Sequence, residues 1–247
     1  VLLLEGTTVG QSPDSHGFQD ETEVEHSLAS LLKRDKRLVV VIASGQNVDR
    51  AVSVYRAALD AGREMVLDPY QAYILMTLCE IFPEAPQYGS PSVRVKFVKS
   101  HVEKLKEAGL WGLACRMSRA AKVSVEQMKA EPNRYVCLAR SSAATVALLR
   151  KLESATEPVI VWSQWSGYLS RGGPVPRYCA DRGITPRVIH SGGHAHPDDL
   201  RELVRRLNPK VIVPIHTEAA RVFPEMLPRV RIVPDGHAVM VRRLTEA

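Results

Sequence analysis

The chain has 247 residues, of which 45% are hydrophobic and 24% are charged. These ordinary globular values exclude a disordered or fibrous protein, and no apolar run reaches the ~18 residues of a membrane span, so we expect a soluble protein without a membrane partner. The net charge of +6 is compatible with a polyanionic partner such as a nucleic acid. The four cysteines lie far apart without a C-x-x-C pair, which argues against a zinc knuckle or a disulfide framework and predicts a cytoplasmic location.

The amino-terminal part of the chain alternates between predicted strands and helices. Apolar Val1–Leu4 predicts a strand that ends at Glu5, and the polar stretch from Gly10 to about Asp20 predicts a loop. The next predicted elements are a helix at Glu21–Lys36, a strand at Leu38–Ala43, a helix at Val48–Ala61 and a strand at Glu64–Leu67. The continuous β-branched run in the second strand predicts burial on both faces, which is typical of a parallel sheet in an α/β protein.

The remainder of the chain continues this alternation. We expect Gln71–Glu131 to be mostly helical and Gly172–Pro176 to form a loop. Strands are predicted at Tyr135–Ala139, Val159–Trp162, Ile184–Ile189, Val211–Ile215, Val230–Val233 and Ala238–Val241, and helices at Ser142–Glu153 and Pro197–Leu207. The pattern indicates a doubly wound parallel sheet followed by a smaller α/β segment.

Histidines are concentrated in the last part of the chain. His216 follows a buried strand, and ligands and metals commonly bind at the carboxyl ends of strands in α/β proteins. The alternative for such a residue is a partly buried histidine bonded to a backbone carbonyl. His194 lies in a Gly-rich stretch between a strand and a helix, where free backbone N–H groups can hold a phosphate oxygen.

Three segments resemble the β-CASP branch of the metallo-β-lactamase-fold nucleases, which includes ribonuclease J and the pre-mRNA 3′-end endonucleases. Leu2–Thr8 (LLLEGTT) resembles the first β-CASP motif, in which an acidic residue ends a strand. Ser191–Ala195 (SGGHA) resembles the second motif, and Pro214–Glu218 (PIHTE) resembles the third, with Thr217 in place of the usual glycine. The three segments occur in the family's order and at compatible spacing.

The resemblance implies a fold and a division of the chain. It implies a doubly wound parallel-sheet β-CASP domain inserted in a metallo-β-lactamase αββα fold, of which only the carboxyl-terminal part is present. Residues 1–10 would form a metallo-β-lactamase-fold strand with the first motif, residues 11–188 the β-CASP domain, and residues 189–247 the final metallo-β-lactamase-fold segment.

The resemblance also implies roles for individual residues. His216 would be a zinc ligand, His194 a general acid for the leaving oxygen, and Glu5 the carboxylate that orients His194. The residues that would contact phosphate are Ser191, Gly192, Gly193 and, as a secondary contact, His196. In the family two zinc ions activate the attacking water and clamp the phosphate.

The H-x-H-x-D-H zinc motif of the family precedes the first β-CASP motif, and this sequence contains none there. A catalytic zinc needs roughly three protein ligands, so we expect this chain alone to be inactive and to require a missing amino-terminal half. The intact protein is predicted to cleave RNA, or less readily single-stranded DNA, and a homo-oligomer is compatible with this.

Two alternative functions stay open. One is a non-catalytic nucleic-acid-binding or assembly module of the same fold. The other is a hydrolase of small phosphoesters or esters. The aromatic loop Trp162–Tyr168 would suit a small substrate, the stacking of bases or packing between domains.

Overall fold

The structure is a computed structural model that describes residues 1–10, 20–153 and 157–245. The chain divides into two compact units. Unit 1 combines Val1–Phe18 with Gly192–Ala247, and unit 2 is the continuous stretch Gln19–Ser191. Positions 11–19 of the predicted loop before the first helix lie outside the described residues.

The elements follow the α/β pattern of the sequence. The strands are β1 (Leu2–Glu5), β2 (Val39–Ile42), β3 (Glu64–Leu67), β4 (Val93–Val95), β5 (Tyr135–Ala139), β6 (Val159–Trp162), β7 (Arg187–Val188) and β8 (Ile212–Ile215). The helices are α1 (Glu21–Arg34), α2 (Val48–Asp60), α3 (Pro69–Leu78), α4 (Lys99–Glu107), α5 (Trp111–Ala121), α6 (Val125–Ala130), α7 (Ala143–Glu153), α8 (Gly167–Ser170), α9 (Pro174–Ala180), α10 (Pro197–Leu207), α11 (Phe223–Met226) and α12 (Val241–Thr245).

Unit 2 is built on a six-stranded parallel sheet in the order β4-β3-β5-β2-β6-β7. All four residues of β2 are buried, and Val39 pairs with Val136 on one side and Val159 on the other. Alternate residues of the strands join separate apolar clusters, with Val39 and Val41 in one and Val40 and Ile42 in the other. The sheet therefore has an apolar core on each face, which confirms the α/β parallel-sheet prediction.

Short polar motifs determine where the helices of unit 2 begin. Asp20 accepts a hydrogen bond from the Glu23 backbone N–H at 2.8 Å, and Glu23 accepts one from the Asp20 N–H at 3.1 Å. Asp68 and Gln71 form the same reciprocal pair at the start of α3, where Pro69 occupies the first turn. Each pair satisfies backbone donors that the first helical turn leaves unbonded, which fixes the point at which the chain turns from loop or strand into helix.

Unit 1 contains a two-stranded parallel sheet of β1 and β8, in which Leu2 pairs with Ile212 and Glu5 with Ile215. A separate apolar cluster surrounds it and includes Leu200 and Val204 of α10 and the fully buried Phe223. Because the two strands are parallel, their carboxyl ends meet at one edge, and the residues that follow Glu5 and Ile215 are brought together there.

The stretch Gln71–Glu131 is mostly helical, as expected, and also contains the short strand β4. Three sequence predictions were wrong, for one loop and two strands. α9 begins at Pro174 inside the expected Gly172–Pro176 loop. The expected strands Val230–Val233 and Ala238–Val241 do not form; Val230 makes only an isolated bridge to Ile212, and α12 begins at Val241. Several apolar side chains between Val230 and Val241 are more than two-fifths exposed. These side chains do not pack against a strand or a core that would hold this segment in a sheet.

Within the described residues, no helix is both long enough and apolar enough to cross a lipid bilayer.

Candidate metal centre

Three of the predicted site residues lie together in unit 1. One ligand atom from each of Glu5, His194 and His216 lies within 4.8 Å of the other two. Glu5 ends β1, His216 follows β8, and His194 lies in the loop before α10. The parallel pairing of β1 with β8 therefore builds the cluster from residues that are about 200 positions apart in the chain.

Glu5 is tied to the backbone on both sides of the cluster. One carboxylate oxygen accepts a hydrogen bond from the Thr7 N–H at 2.9 Å and the other from the Ala195 N–H at 3.1 Å. Burial by itself raises the pKa of Glu5, but these two backbone bonds and the nearby His194 outweigh it and lower the pKa below its usual value. Glu5 is therefore held as a carboxylate in a fixed orientation.

The carboxylate of Glu5 faces His194. The distance from the Glu5 Oε2 to the His194 Nδ1 is 3.5 Å, and both side chains are about one-third exposed. A carboxylate beside Nδ1 orients the ring and favours a proton on that nitrogen. The other ring nitrogen, Nε2, is then the one available to a ligand or a substrate.

His216 has an unusual backbone conformation, with φ at +50° in the left-handed region. The Thr7 hydroxyl lies 3.0 Å from the His216 Nδ1 and 3.3 Å from its carbonyl oxygen. The rings of His194 and His216 are 5.6 Å apart between centroids. A non-glycine residue with positive φ costs conformational free energy and persists where its surroundings hold it, and the two contacts from Thr7 hold His216 here.

Sequence reasoning did not assign roles to Thr7 and Thr8. Thr7 bonds His216, and the Thr8 hydroxyl donates to the Ala195 carbonyl oxygen at 2.6 Å. Both threonines therefore connect the end of β1 to the two histidine-bearing loops. The sequence feature that could have indicated these contacts is the position of both threonines just after Glu5 and Gly6 in the first motif.

The predicted phosphate contacts lie on the loop that leads into α10. Gly193 has φ at +68°, a conformation that glycine adopts without strain. The Nδ1 of His196 accepts a hydrogen bond from the Asp198 N–H at 3.2 Å, so this side chain caps α10 and does not join the three-residue cluster. The Ser191 carbonyl oxygen accepts a bond from Arg50, 3.3 Å away within unit 2. Gly192 is exposed and begins the second segment of unit 1.

The donor set of the cluster suits zinc, which binds imidazole nitrogens and carboxylate oxygens in proteins. His216 offers its Nε2 because its Nδ1 lies against the Thr7 hydroxyl, the arrangement in which a neighbouring group fixes a metal-binding ring. Both oxygens of Glu5 already accept backbone bonds. Within the described residues Glu5, His194 and His216 are three groups that could contact a metal ion. If Glu5 and His194 have the roles expected from the sequence, His216 is the one zinc ligand among them, and a catalytic zinc needs more.

The aromatic residues at the end of β6 and in the loop after it differ in burial. Trp162 is buried, whereas Trp165 and Tyr168 are about half exposed and pack edge to face, with ring centroids 5.3 Å apart. The guanidinium of Arg171 lies 4.9 Å from the centre of the Trp165 ring. That this loop stacks on nucleic-acid bases stays a prediction.

Comparison with protein families relates one segment of the chain to a known domain. Residues 186–223, which carry the His194 loop, α10, β8 and His216, match the model of the Zn-dependent metallo-hydrolase RNA specificity domain. The match supports a relationship with the metallo-β-lactamase superfamily and implies zinc, hydrolase chemistry and RNA specificity for this segment. No curated protein matches the chain at a significant level.

The solved structures that match this chain include one that covers nearly its whole length. It is described as a protein of unknown function from Enterococcus faecalis V583, with 22% sequence identity and a TM-score of 0.59. The match covers 95% of this chain and 49% of that one, so the chain spans about half the length of the solved structure that it resembles. At this identity the likeness shows a shared fold.

Proposed function

We propose that this chain is part of a zinc-dependent metallo-hydrolase of the β-CASP branch that cleaves phosphodiester bonds in RNA. The observation that carries the proposal is the convergence of Glu5, His194 and His216 at the shared edge of β1 and β8. The match of residues 186–223 to an RNA specificity domain of zinc-dependent metallo-hydrolases supports it.

The roles follow from the contacts of the three side chains. His216 would hold zinc through its Nε2, with the Thr7 hydroxyl fixing the ring. Zinc, when bound, supplies an activated water and neutralises charge on the phosphate. His194 would donate a proton from its Nε2 to the leaving oxygen, and Glu5, 3.5 Å from the His194 Nδ1, would orient the ring for that transfer.

The substrate phosphate would lie against the loop before α10. Gly192 and Gly193 have no side chains to block the approach of a phosphate oxygen, and the first turn of α10 favours negative charge. Ser191 would add a polar contact, and His196, which caps the helix, would be a secondary one.

The experiment compares two proteins on an end-labelled single-stranded RNA. One is this chain, and the other is the chain extended by the coding sequence upstream of Val1. We expect zinc-dependent cleavage only by the extended protein, because the described cluster supplies a partial centre. A single-stranded DNA of the same sequence tests the preference for RNA.

His194→Ala in the extended protein is expected to lower kcat by about 10²–10⁴-fold, the usual contribution of a general acid. His237→Ala is the matched control, because His237 is an exposed histidine of the same unit. Full cleavage by His194→Ala, or cleavage that persists after zinc is removed, would contradict the proposal.

A non-catalytic RNA-binding module is the second candidate, because the roles proposed for Glu5 and His194 leave His216 as the one zinc ligand of the cluster within the described part of the chain. It predicts that the extended protein binds RNA without cutting it. Filter binding across a salt series, measured beside the cleavage assay, separates the two, since phosphate contacts give a steep negative dependence of affinity on salt.

A further inference from the structure

A pair of exposed aromatic side chains lies in unit 2, in the loop that follows β6. The chain leaves β6 towards β7 at the edge of the sheet, whereas it leaves the neighbouring β2 towards β3, on the other side of β5. Connections that diverge from adjacent parallel strands leave a crevice at the carboxyl ends of those strands, which is where open α/β sheets usually bind ligands. Trp165 and Tyr168 follow β6 at this end of the sheet.

Trp165 and Tyr168 form one aromatic surface. Their rings pack edge to face, with centroids 5.3 Å apart, and the two residues are 50% and 48% exposed. Tryptophan and tyrosine are on average well buried in folded proteins, and exposed apolar groups that lie together mark places where partners bind. An adjacent pair that is half exposed therefore indicates an interaction surface.

The fold fixes the position of this surface. The Trp165 carbonyl oxygen accepts a hydrogen bond from the indole N–H of the buried Trp162 at 3.2 Å and another from the Tyr168 N–H at 3.0 Å. The Trp165 ring packs against the backbone of Gly167, where a Cβ would lie 2.3 Å from a ring atom. Because the ring is held before a partner arrives, binding costs little side-chain entropy.

The loop that carries this surface is basic. The guanidinium of Arg171 lies 4.9 Å from the centre of the Trp165 ring and 6.0 Å from that of the Tyr168 ring, and it forms no ion pair with a carboxylate of the described residues. Between Glu157 and Asp181 the sequence contains two arginines and no acidic residue. The partner that fits best therefore combines negative charge with flat aromatic groups.

We propose that Trp165, Tyr168 and Arg171 bind single-stranded RNA, with one unpaired base stacked on the exposed part of the Trp165 ring. An unpaired base offers a flat face to an aromatic side chain, and its phosphate lies within reach of the long Arg171 side chain. The inference rests on the proposed RNA substrate and assigns one contact with it to unit 2, whereas the candidate metal centre belongs to unit 1. Stacking requires neither zinc nor cleavage.

Trp111 provides a matched control within the same unit. It is 49% exposed, and the Lys106 ammonium group lies 4.4 Å from the centre of its ring. Trp111 therefore resembles Trp165 in exposure and in its contact with a cation, but it begins α5 and does not follow a strand of the sheet. A general attraction of RNA to exposed aromatic and basic residues would affect both tryptophans alike.

The test measures binding of a fluorescein-labelled octaadenylate to this chain by fluorescence anisotropy, at neutral pH and with EDTA present. We expect Trp165→Leu to weaken binding by about 5- to 150-fold, the usual loss for one stacked base, and Trp111→Leu to bind like the wild type. Trp165→Phe keeps an aromatic face and should retain most of the affinity, which shows that the loss in Trp165→Leu is not misfolding.

A salt series separates stacking from charge. Arg171→Met should reduce the slope of log affinity against log salt concentration by about 0.7, the contribution of one phosphate contact in a single strand. Trp165→Leu should lower the affinity at every salt concentration and leave the slope unchanged. An abasic octamer carries the phosphates without the bases, so it should bind the wild type and Trp165→Leu equally.

Intrinsic fluorescence reports on the stacked ring itself. Saturating unlabelled octaadenylate should quench the wild type and Trp111→Phe, and the quenching should disappear in Trp165→Phe although that variant still binds. Gly167→Ala should also weaken binding, because the added Cβ displaces the Trp165 ring. Gly89→Ala, where nothing lies within 4 Å of a Cβ, should bind like the wild type.

The proposal is overturned if the wild type does not bind octaadenylate, if Trp165→Leu binds as tightly as the wild type, or if Trp111→Leu weakens binding equally. Each of these results would leave the surface to a protein partner. Binding that depends on Trp165 supports the proposal even if the extended protein does not cut RNA. Cleavage by the extended protein, together with unchanged binding by Trp165→Leu, would overturn the stacking alone.

Discussion

At Gly6 the backbone between Glu5 and Thr7 passes directly against a buried ring. A Cβ at this position would lie 2.2 Å from the Cζ atom of Phe223, which is fully buried and has no room to move. We expect Gly6→Ala to lower the free energy of unfolding of unit 1 by about 1–3 kcal/mol, the usual cost of overpacking. Gly89→Ala is the control, because nothing lies within 4 Å of a Cβ there.

Circular dichroism during urea unfolding measures both variants. If Gly6→Ala were as stable as the wild type, the close approach of β1 to Phe223 would not hold in solution. The same variant should weaken zinc binding by the extended protein, since Gly6 connects Glu5 to the threonine that contacts His216.

His190 provides a pH-dependent contribution to stability. Burial, with a smaller contribution from Arg50, lowers its pKa from 6.5 to about 4. Between these values the unfolded chain binds more protons than the folded one, so the free energy of unfolding falls as pH decreases through this range. The contribution is fully present above pH 6.5 and lost as pH falls to about 4, and we expect a loss of about 1–3 kcal/mol.

Urea unfolding of the wild type and of His190→Gln at several pH values in that window checks this. The glutamine variant should show a smaller fall in stability, whereas His26→Gln, which removes an exposed histidine of α1, should follow the wild type. Identical pH profiles for wild type and His190→Gln would show that His190 does not titrate as expected.

Among the elements of the chain, β2 and the carboxyl-terminal tail differ most in burial and in strand pairing. Val39–Ile42 is completely buried and bonded to a strand on each side. Residues 231–240 are largely exposed and lie outside the named helices and strands. Hydrogen exchange followed by mass spectrometry should therefore find the slowest-exchanging amides in β2 and fast exchange at 231–240. Slow exchange at 231–240 would instead indicate that the strands predicted from the sequence form in solution.

β2 and the carboxyl-terminal tail also show which strands can be predicted from the sequence alone. The β-branched run of β2 predicts a buried strand because no other structure accommodates it as well. The apolar residues near Ile232 and Val239 carry a similar signal, but a strand needs a partner, and none is present within the described chain. β4 was missed for the converse reason: three residues between helices become a strand only through their pairing with β3.

The candidate site, like the fold, could be predicted from the sequence only in part. Its three side chains were identified from motifs at strand ends, and the structure brings them together, while their roles stay predictions. The contact of Thr7 with His216 joins residues 209 positions apart and leaves no local pattern.

On the scale of the whole molecule, the two units have separate cores of different size. The apolar cluster of unit 1 is much smaller than the two clusters that cover the sheet of unit 2. Stability grows with buried apolar area, so we expect unit 1 to unfold at a lower urea concentration than unit 2. The unfolding of the chain is then not a two-state process.

The distribution of tryptophan makes this measurable. All three tryptophans, Trp111, Trp162 and Trp165, belong to unit 2, so their fluorescence reports on that unit alone, whereas far-ultraviolet circular dichroism reports on the helices of both. Part of the dichroism change should precede the fluorescence change. Coincident transitions by the two probes would show that the units unfold together.

The parallel pairing of Leu2 with Ile212 has a consequence for how the protein is made. A ribosome releases β1 first and β8 some two hundred residues later, and neither can complete the sheet of unit 1 without the other. Unit 2 is continuous in the chain and can fold while synthesis proceeds, at about 5–20 residues per second. The histidines of the candidate metal centre therefore assemble last, tens of seconds after β1 emerges, and until then a nascent chain lacks the convergence of Glu5, His194 and His216.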